Sequence, residues 1–186
     1  MNYAEFGAAF VHAAVTPERI SAVIRGITGE EVRVGPLAAG PGGVATANAV
    51  GRIGEPAPEI TGHDPLAYKV SLPVTLDVDV TAAGTKHHFD VNATVRVFFT
   101  VALTPPLSIS IVAESPTYLD VDVDIRPKGM QAKLLARSGI VEREMRKNIA
   151  RYVRERISDE VSAFSTIDLV PLMTSVADHI TGEVTR

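Results

Sequence analysis

Two stretches of strict alternation constrain this chain more than any other feature. Leu66, Tyr68, Val70, Leu72, Val74, Leu76, Val78 and Val80 take every even position of the first. Phe89, Val91, Ala93, Val95, Val97, Phe99, Val101 and Leu103 take every odd position of the second. Polar residues such as Lys69, Ser71, Thr75, Asp77 and Asp79 lie between the apolar ones. A period of two sends alternate side chains to opposite faces of a strand, so each stretch reads as a strand with one buried and one wet face. At about 3.3 Å per residue each spans roughly 50 Å, well beyond the usual length of about five or six residues. Strands this long must twist and coil.

Same-face partners need one even and one odd position. The predicted register sets Val80 opposite Phe89 and Val78 opposite Val91, with the turn at Ala83-Gly84-Thr85-Lys86. Thr104-Pro105-Pro106 and Ser115-Pro116 then break the chain. They bound two further strands, one carrying Leu107, Ile109 and Ile111, the other Leu119, Val121, Val123 and Ile125. The whole reads as an antiparallel meander ending at Pro127-Lys128-Gly129.

Such a sheet has a wide apolar face to cover, and Gln131 to Phe164 reads as the long helix that covers it. Val141, Met145, Ile149, Val153, Ile157 and Val161 recur every fourth residue, and Leu134, Tyr152 and Phe164 widen the row. Steps of four advance about 40°, so the row turns roughly 200° around the helix. That broad arc suits a helix held within a curved sheet rather than a coiled-coil seam.

Asn2 to Ala14 is predicted as a helix with Phe6 and Phe10 stacked at i, i+4. Thr16-Pro17-Glu18 starts a second helix, with a capping hydroxyl, a proline suited to the first turn and an acid at the positive end. Gly29 is read as its left-handed end. Val32 to Leu37 is a short strand and Val44 to Ile53 a strand of small residues. In the latter, Ala45, Ala47, Ala49 and Gly51 share a face that means either close packing or an open space. Gly54 to Pro65 reads as an irregular connection. Thr166 to Asp168 reads as a break with capping residues before a last short helix.

The predicted fold is therefore α+β, a single domain over 1–186. N-terminal helices occupy 1–29, the antiparallel sheet 32–126, the long helix 131–164 and a short C-terminal helix 168–181. The sheet is a long, highly curved meander wrapped around the long helix. A chain of 186 residues with 46% apolar and 22% charged residues has enough material for one sizeable core. The absence of cysteine excludes disulfides, thiolate metal sites and a cysteine nucleophile. The first fifteen residues lack a basic start and carry Glu5, so they do not read as a signal peptide. No run approaches the ~18 apolar residues of a membrane span. The expected setting is soluble and cytoplasmic.

Helical N-terminus, long alternating strands and then one long helix resemble the tubular lipid-binding (TULIP) superfamily, which includes the synaptotagmin-like mitochondrial lipid-binding and bactericidal/permeability-increasing types. Leu66–Val80, Phe89–Leu103 and Gln131–Phe164 carry the likeness, which is architectural. It implies an elongated half-pipe with an apolar interior for acyl chains, and it transfers no individual functional residue. The helix-grip fold of Bet v 1/START-like proteins is the main competitor. That fold begins with a strand and its strands are shorter, whereas this chain begins with helices.

The leading functional reading is a non-enzymatic binder of a lipid or other apolar small molecule in a groove between curved sheet and long helix. Tyr68, Val70, Leu72, Val95, Val97, Phe99, Met145, Ile149 and Tyr152 are the candidate lining, weighed against ordinary core. No catalytic residue or cofactor is predicted. A helix-grip cyclase or hydratase is the second reading, and it predicts a polar group such as Tyr68, Arg96 or His88 turned into the cavity. The third is a homodimeric scaffold that fills its own groove, with the Phe6/Phe10 helix as the docking element.

Other constellations are weaker. Seven Lys/Arg against three Glu lie between Arg137 and Arg156. Arg143, Lys147, Arg151 and Arg154 are the candidate contacts to an anionic membrane surface. The alternative is a solvated face with pairs such as Glu142–Arg146 and Arg151–Glu155. No nucleic-acid partner is predicted, because no aromatic residues interleave with the charges. Asp77, Asp79 and Asp90 are candidate Ca²⁺ ligands, since the predicted register sets Asp79 against Asp90 and facing carboxylates repel without a cation. The alternative is a charged outer face that keeps a long sheet from aggregating. His87-His88 points to both faces of a strand, and His12, His63 and His179 have no partner in the sequence. Gly40-Pro41-Gly42-Gly43 lacks the spacing of a phosphate loop, and no serine sits in a Gly-x-Ser-x-Gly elbow.

Overall fold

The computed structural model describes residues 3–29, 31–39, 41–105, 108–137, 139–164 and 166–168. The fold is α+β, a strongly curled antiparallel sheet or half-barrel with N-terminal helices and a C-terminal helix. In chain order the elements are α1 (Tyr3–Ala14), α2 (Pro17–Ile24), β1 (Glu31–Ala39), β2 (Ala45–Ile53), β3 (Ala57–His63), β4 (Leu66–Ala82) and β5 (Thr85–Thr104). There follow β6 (Ser108–Ala113), β7 (Val121–Lys128), α3 (Met130–Arg137), α4 (Ile140–Phe164) and β8 (Thr166–Asp168).

The two alternating stretches become β4, of 17 residues, and β5, of 20. β4 pairs with β5 along its whole length, from Leu66 opposite Val101 to Ala82 opposite Thr85. The register differs by two from the predicted one. Val78 faces Phe89, Val80 faces His87 and Asp79 faces His88. The cause is a tight two-residue turn, in which Ala83 and Gly84 both have positive φ, at 48° and 76°. That is the backbone of the primed hairpin turns, whose twist matches that of the flanking strands. A slip of two leaves every side chain on its face, so the expected apolar set is buried except for Leu103, near the end of β5, which is 44% exposed.

The sheet is not a simple meander. Its main path runs β1-β2-β4-β5-β6-β8, with β3 also beside β4 and β7 also beside β5. Along the outer edge of β4, β3 covers Leu66–Ser71 and β2 covers Val74–Ala82. Pro73 falls at the seam between them, where its missing N–H breaks no ladder, and its carbonyl accepts from Gly54 N at 2.8 Å. Along the far edge of β5, β7 covers His88–Val95 and β6 covers Phe99–Thr104. The segment expected to be irregular thus contains β3, an edge strand with a shift in register between Ile60 and Gly62. Its side chains are mostly exposed. Backbone pairing to β4 builds it, which side-chain patterning does not reveal.

The expected single helix over 131–164 is two helices, α3 and α4. Gly139 takes φ of 68° between them, the left-handed conformation common at helix ends. Leu134, expected in the apolar row, is 65% exposed on α3. On α4, Met145, Ile149, Val153 and Ile157 are buried as expected and Val141 is half-buried. The side chains of Val161 and Phe164 lie outside the described residues. So does the short helix expected over 168–181, apart from Asp168 itself. Thr166–Asp168 forms β8 against β6 rather than a cap.

One core unites the inward faces of β4 and β5, the buried side of α4, and Val11, Val15, Ile20 and Ile24 of the N-terminal helices. Thr16 caps α2, with its hydroxyl 3.4 Å from Arg19 N. That hydroxyl and a backbone N–H hold the Glu18 carboxyl below its ordinary range, the backbone bond contributing more. α4 touches α2, β5, β6 and β7.

Candidate functional site

Alternation buries the even side chains of β4 and the odd ones of β5, and the structure packs most of the predicted lining solid. Tyr68, Val70, Leu72, Val95, Val97 and Phe99 are each 2% exposed or less and belong to the closed core. Tyr68 also uses its hydroxyl, which donates to the Val15 carbonyl at 2.5 Å. Burial raises its pKa, with a smaller contribution from the Glu18 charge.

Open space lies to one side of this packed centre. β1, β2 and the outer half of β4 form one wall of a cleft, and α4 forms the other. Val32, Val34 and Leu37 come from β1, Ala47 and Ala49 from β2, and Val74, Leu76 and Val78 from β4. The remaining predicted lining residues, Met145, Ile149 and Tyr152, face them from α4. Asn48, Glu144 and Asn148 are the polar members of the lining. Asn148 is tied to its own helix, its amide donating to the Glu144 carbonyl at 2.9 Å. The cavity amounts to about 50 Å³.

Side-chain size creates this cleft. Ala47 and Ala49 withhold volume where a leucine would fill the gap to α4. The alternatives for the small face of β2 are therefore both realised. Ala47 and Ala49 border the space, whereas Gly51 marks a close approach. A Cβ at Gly51 would lie 1.9 Å from the Thr75 carbonyl oxygen and 2.7 Å from Leu76 Cδ2. β1 was legible as a strand, but nothing in its residues marked Val32, Val34 and Leu37 as lining. Its bulge between Val34 and Leu37 and the placement of α4 decide that.

None of the three groups named for the enzymatic reading lines the cleft. Arg96 lies on the outer face of β5, bonded to the Asp122 carboxylate and to the Leu119 carbonyl. His88 is on that same face, paired with Asp79. Tyr68 is committed to the core.

The acidic trio is placed differently from the prediction. Asp77 faces Asp90, and Lys128 Nζ lies 2.6 Å from the Asp90 carboxylate. Asp79 holds Lys86 Nζ at 2.8 Å besides His88. These cations, the Lys128 hydrogen bond first for Asp90 and the Lys86 bond first for Asp79, lower both carboxyl pKa values. Asp90 in turn raises the pKa of Lys128. Among the described residues no group of three or more His, Cys, Asp or Glu side chains is arranged to hold a metal ion. His12 and His63, unpartnered in the sequence, stack at 5.4 Å between ring centroids, and the His12 ring lies 3.0 Å from the His63 carbonyl.

Arg143, Lys147, Arg151 and Arg154 are all exposed along α4. The Glu142–Arg146 pair forms at 2.8 Å. Among the described residues no Arg151–Glu155 pair accompanies it, and Lys147 reaches Glu144 at 3.4 Å instead. No helix among the described residues is long and apolar enough to cross a membrane. The chain matches no protein-family profile, no curated protein and no solved structure.

Proposed function

We propose that this protein binds an apolar small molecule, such as the end of an acyl chain, in the cleft between the β1–β2 flank and α4, without catalysing a reaction on it. The single observation that carries the reading is the cleft's lining, apolar on both walls with three polar side chains among it. That composition is typical of small-molecule sites. The half-barrel, read as wrapping around α4, is the arrangement that the TULIP resemblance implies, and it supports the same conclusion.

A cavity of about 50 Å³ is smaller than a typical ligand pocket of about 300–1,000 Å³. Binding therefore widens the cleft. β1 is the element that yields, because it is the terminal strand of the sheet path and, among the described residues, pairs only with β2. Each buried methylene contributes about 0.8 kcal/mol, so a six-carbon segment supplies about 5 kcal/mol against the cost of opening.

Self-association is a second reading, favoured by Phe6, which is 60% exposed on α1. Native mass spectrometry of gently purified protein separates the two. Our reading predicts a protein species carrying an added small-molecule mass, lost in an Ala49→Trp variant that fills the cleft. A tight, ligand-free dimer, with no added mass under any purification, would contradict it.

A further inference from the structure

A different flank of α4 forms a second concavity. The segment 115–118, between β6 and β7, and the helix enclose a groove of about 410 Å³. Lys147, Arg151 and Arg154 line it from the helix, facing Ser115 and Tyr118. The Thr117 hydroxyl in the same segment is already engaged with Asp120, at 2.7 Å. At 100° per residue the three cations lie within about 60° of one another, and Met145, Ile149 and Tyr152 of the apolar cleft centre about 160° away.

The charge balance of this groove is one-sided. Among the described residues no carboxylate lines it. Among the described residues Arg151 and Arg154 enter no ion pair, and Lys147 has only the half-buried Glu144 at 3.4 Å. Some cations elsewhere are closely paired, as in Arg146–Glu142 and Lys128–Asp90, while Arg143, also on α4, has no ion pair among the described residues and does not line the groove. Like charges at i, i+3 and i, i+4 on a helix repel, yet three stand together around a concave, hydroxyl-bearing surface in a protein of net charge -4. An adjoining groove of about 360 Å³ shares Ser115, Pro116 and Arg154, and among the described residues Glu114 is the one acid that lines it.

We propose that this groove binds a phosphate group. Two planar guanidinium forks and an ammonium match the charge and the several oxygens of a phosphate monoester better than the single charge of a carboxylate. Arg151 and Arg154 supply directional N–H donors, Lys147 a point charge, and Ser115 and Tyr118 neutral donors. The phosphate belongs either to a soluble ligand or to a lipid headgroup. This site uses a different face of α4 from the apolar cleft, so either can fail without the other.

The test uses the full chain with two probes. The first is inorganic phosphate, followed by NMR of the arginine Nε–H groups. The second is co-sedimentation with phosphatidylcholine vesicles, with and without phosphatidic acid. Saturating shifts at Arg151 and Arg154 with phosphate alone identify a soluble source. Sedimentation that needs phosphatidic acid identifies a headgroup, and either result supports the site. Arg151→Gln/Arg154→Gln, checked for folding by circular dichroism, is expected to weaken binding roughly tenfold to hundredfold, the loss for charge-assisted hydrogen bonds. Arg126→Gln, on the sheet, is expected to leave it unchanged. Absence of response to both probes, or equal binding by the folded double variant, overturns the proposal.

Discussion

The hydroxyl of Tyr68 ties the helical N-terminus to the sheet. It donates to the Val15 carbonyl, at the junction of α1 and α2, from the centre of the core. Tyr68→Phe keeps the ring and leaves that carbonyl without this donor. We expect a loss of about 1–2 kcal/mol in urea unfolding, whereas an unchanged midpoint would mean that the carbonyl finds another donor. The inward placement of Tyr68 was legible, since alternation alone sends even positions to one face. Its hydroxyl partner was not, because Val15 is remote in sequence. Lys128 and Asp90 are a second instance. The sequence shows neighbouring acids and allows a cation site, but only the register brings Lys128 to Asp90. Asp90 is depressed in the folded state, so its contribution is present above an unfolded value of about 3.9 and is lost as pH falls through the lowered one. Lys128 is raised, so its share is present below about 10.4 and is lost as pH rises through the raised value. The exposed pair thus acts between those limits, and weakly. Lys128→Met is expected to move the Asp90 titration midpoint upward, followed by carboxyl ¹³C shifts. An unmoved midpoint would transfer the effect to Asp77 and Arg126.

At the scale of elements, Gly51 sets how closely β2 lies on β4. It pairs with Leu76, beside the part of β4 that borders the cleft. A methyl group there meets backbone, not a flexible side chain. Gly51→Ala is therefore expected to destabilise by about 1–3 kcal/mol in thermal or urea unfolding, and a neutral effect would show that β2 can shift outward freely. The elements that sequence located well are those with strong side-chain periodicity, namely β4, β5 and the buried row of α4. Those it misjudged depend on backbone geometry. The hairpin register follows from the positive φ at Ala83 and Gly84, the helix break from Gly139, and β3 from pairing to an already formed strand. Alternation is blind to a slip of two, and a glycine inside a periodic helix pattern reads equally as a tolerated cost or an end.

At the scale of the whole molecule, curling of the sheet divides the apolar surface into two regions. The centre, where β4 and β5 carry Val, Leu, Tyr and Phe at most inward positions, packs solid. The flank, where β2 carries alanine, leaves space against α4. The candidate site was thus half legible. Its helix wall was readable from Met145, Ile149 and Tyr152, whereas its sheet wall was sought at the centre of β4 and β5 and lies on β1, β2 and the outer half of β4. Isotope-filtered NOE spectroscopy on methyl-labelled protein with an unlabelled medium-chain fatty acid tests the central claim most directly. We predict cross-peaks from the acyl methylenes to the methyl groups of Val34, Leu37, Ala49 and Ile149. Bound fatty acid with cross-peaks only to exposed groups such as Leu134 and Val112, or no cross-peaks at all, would contradict the account.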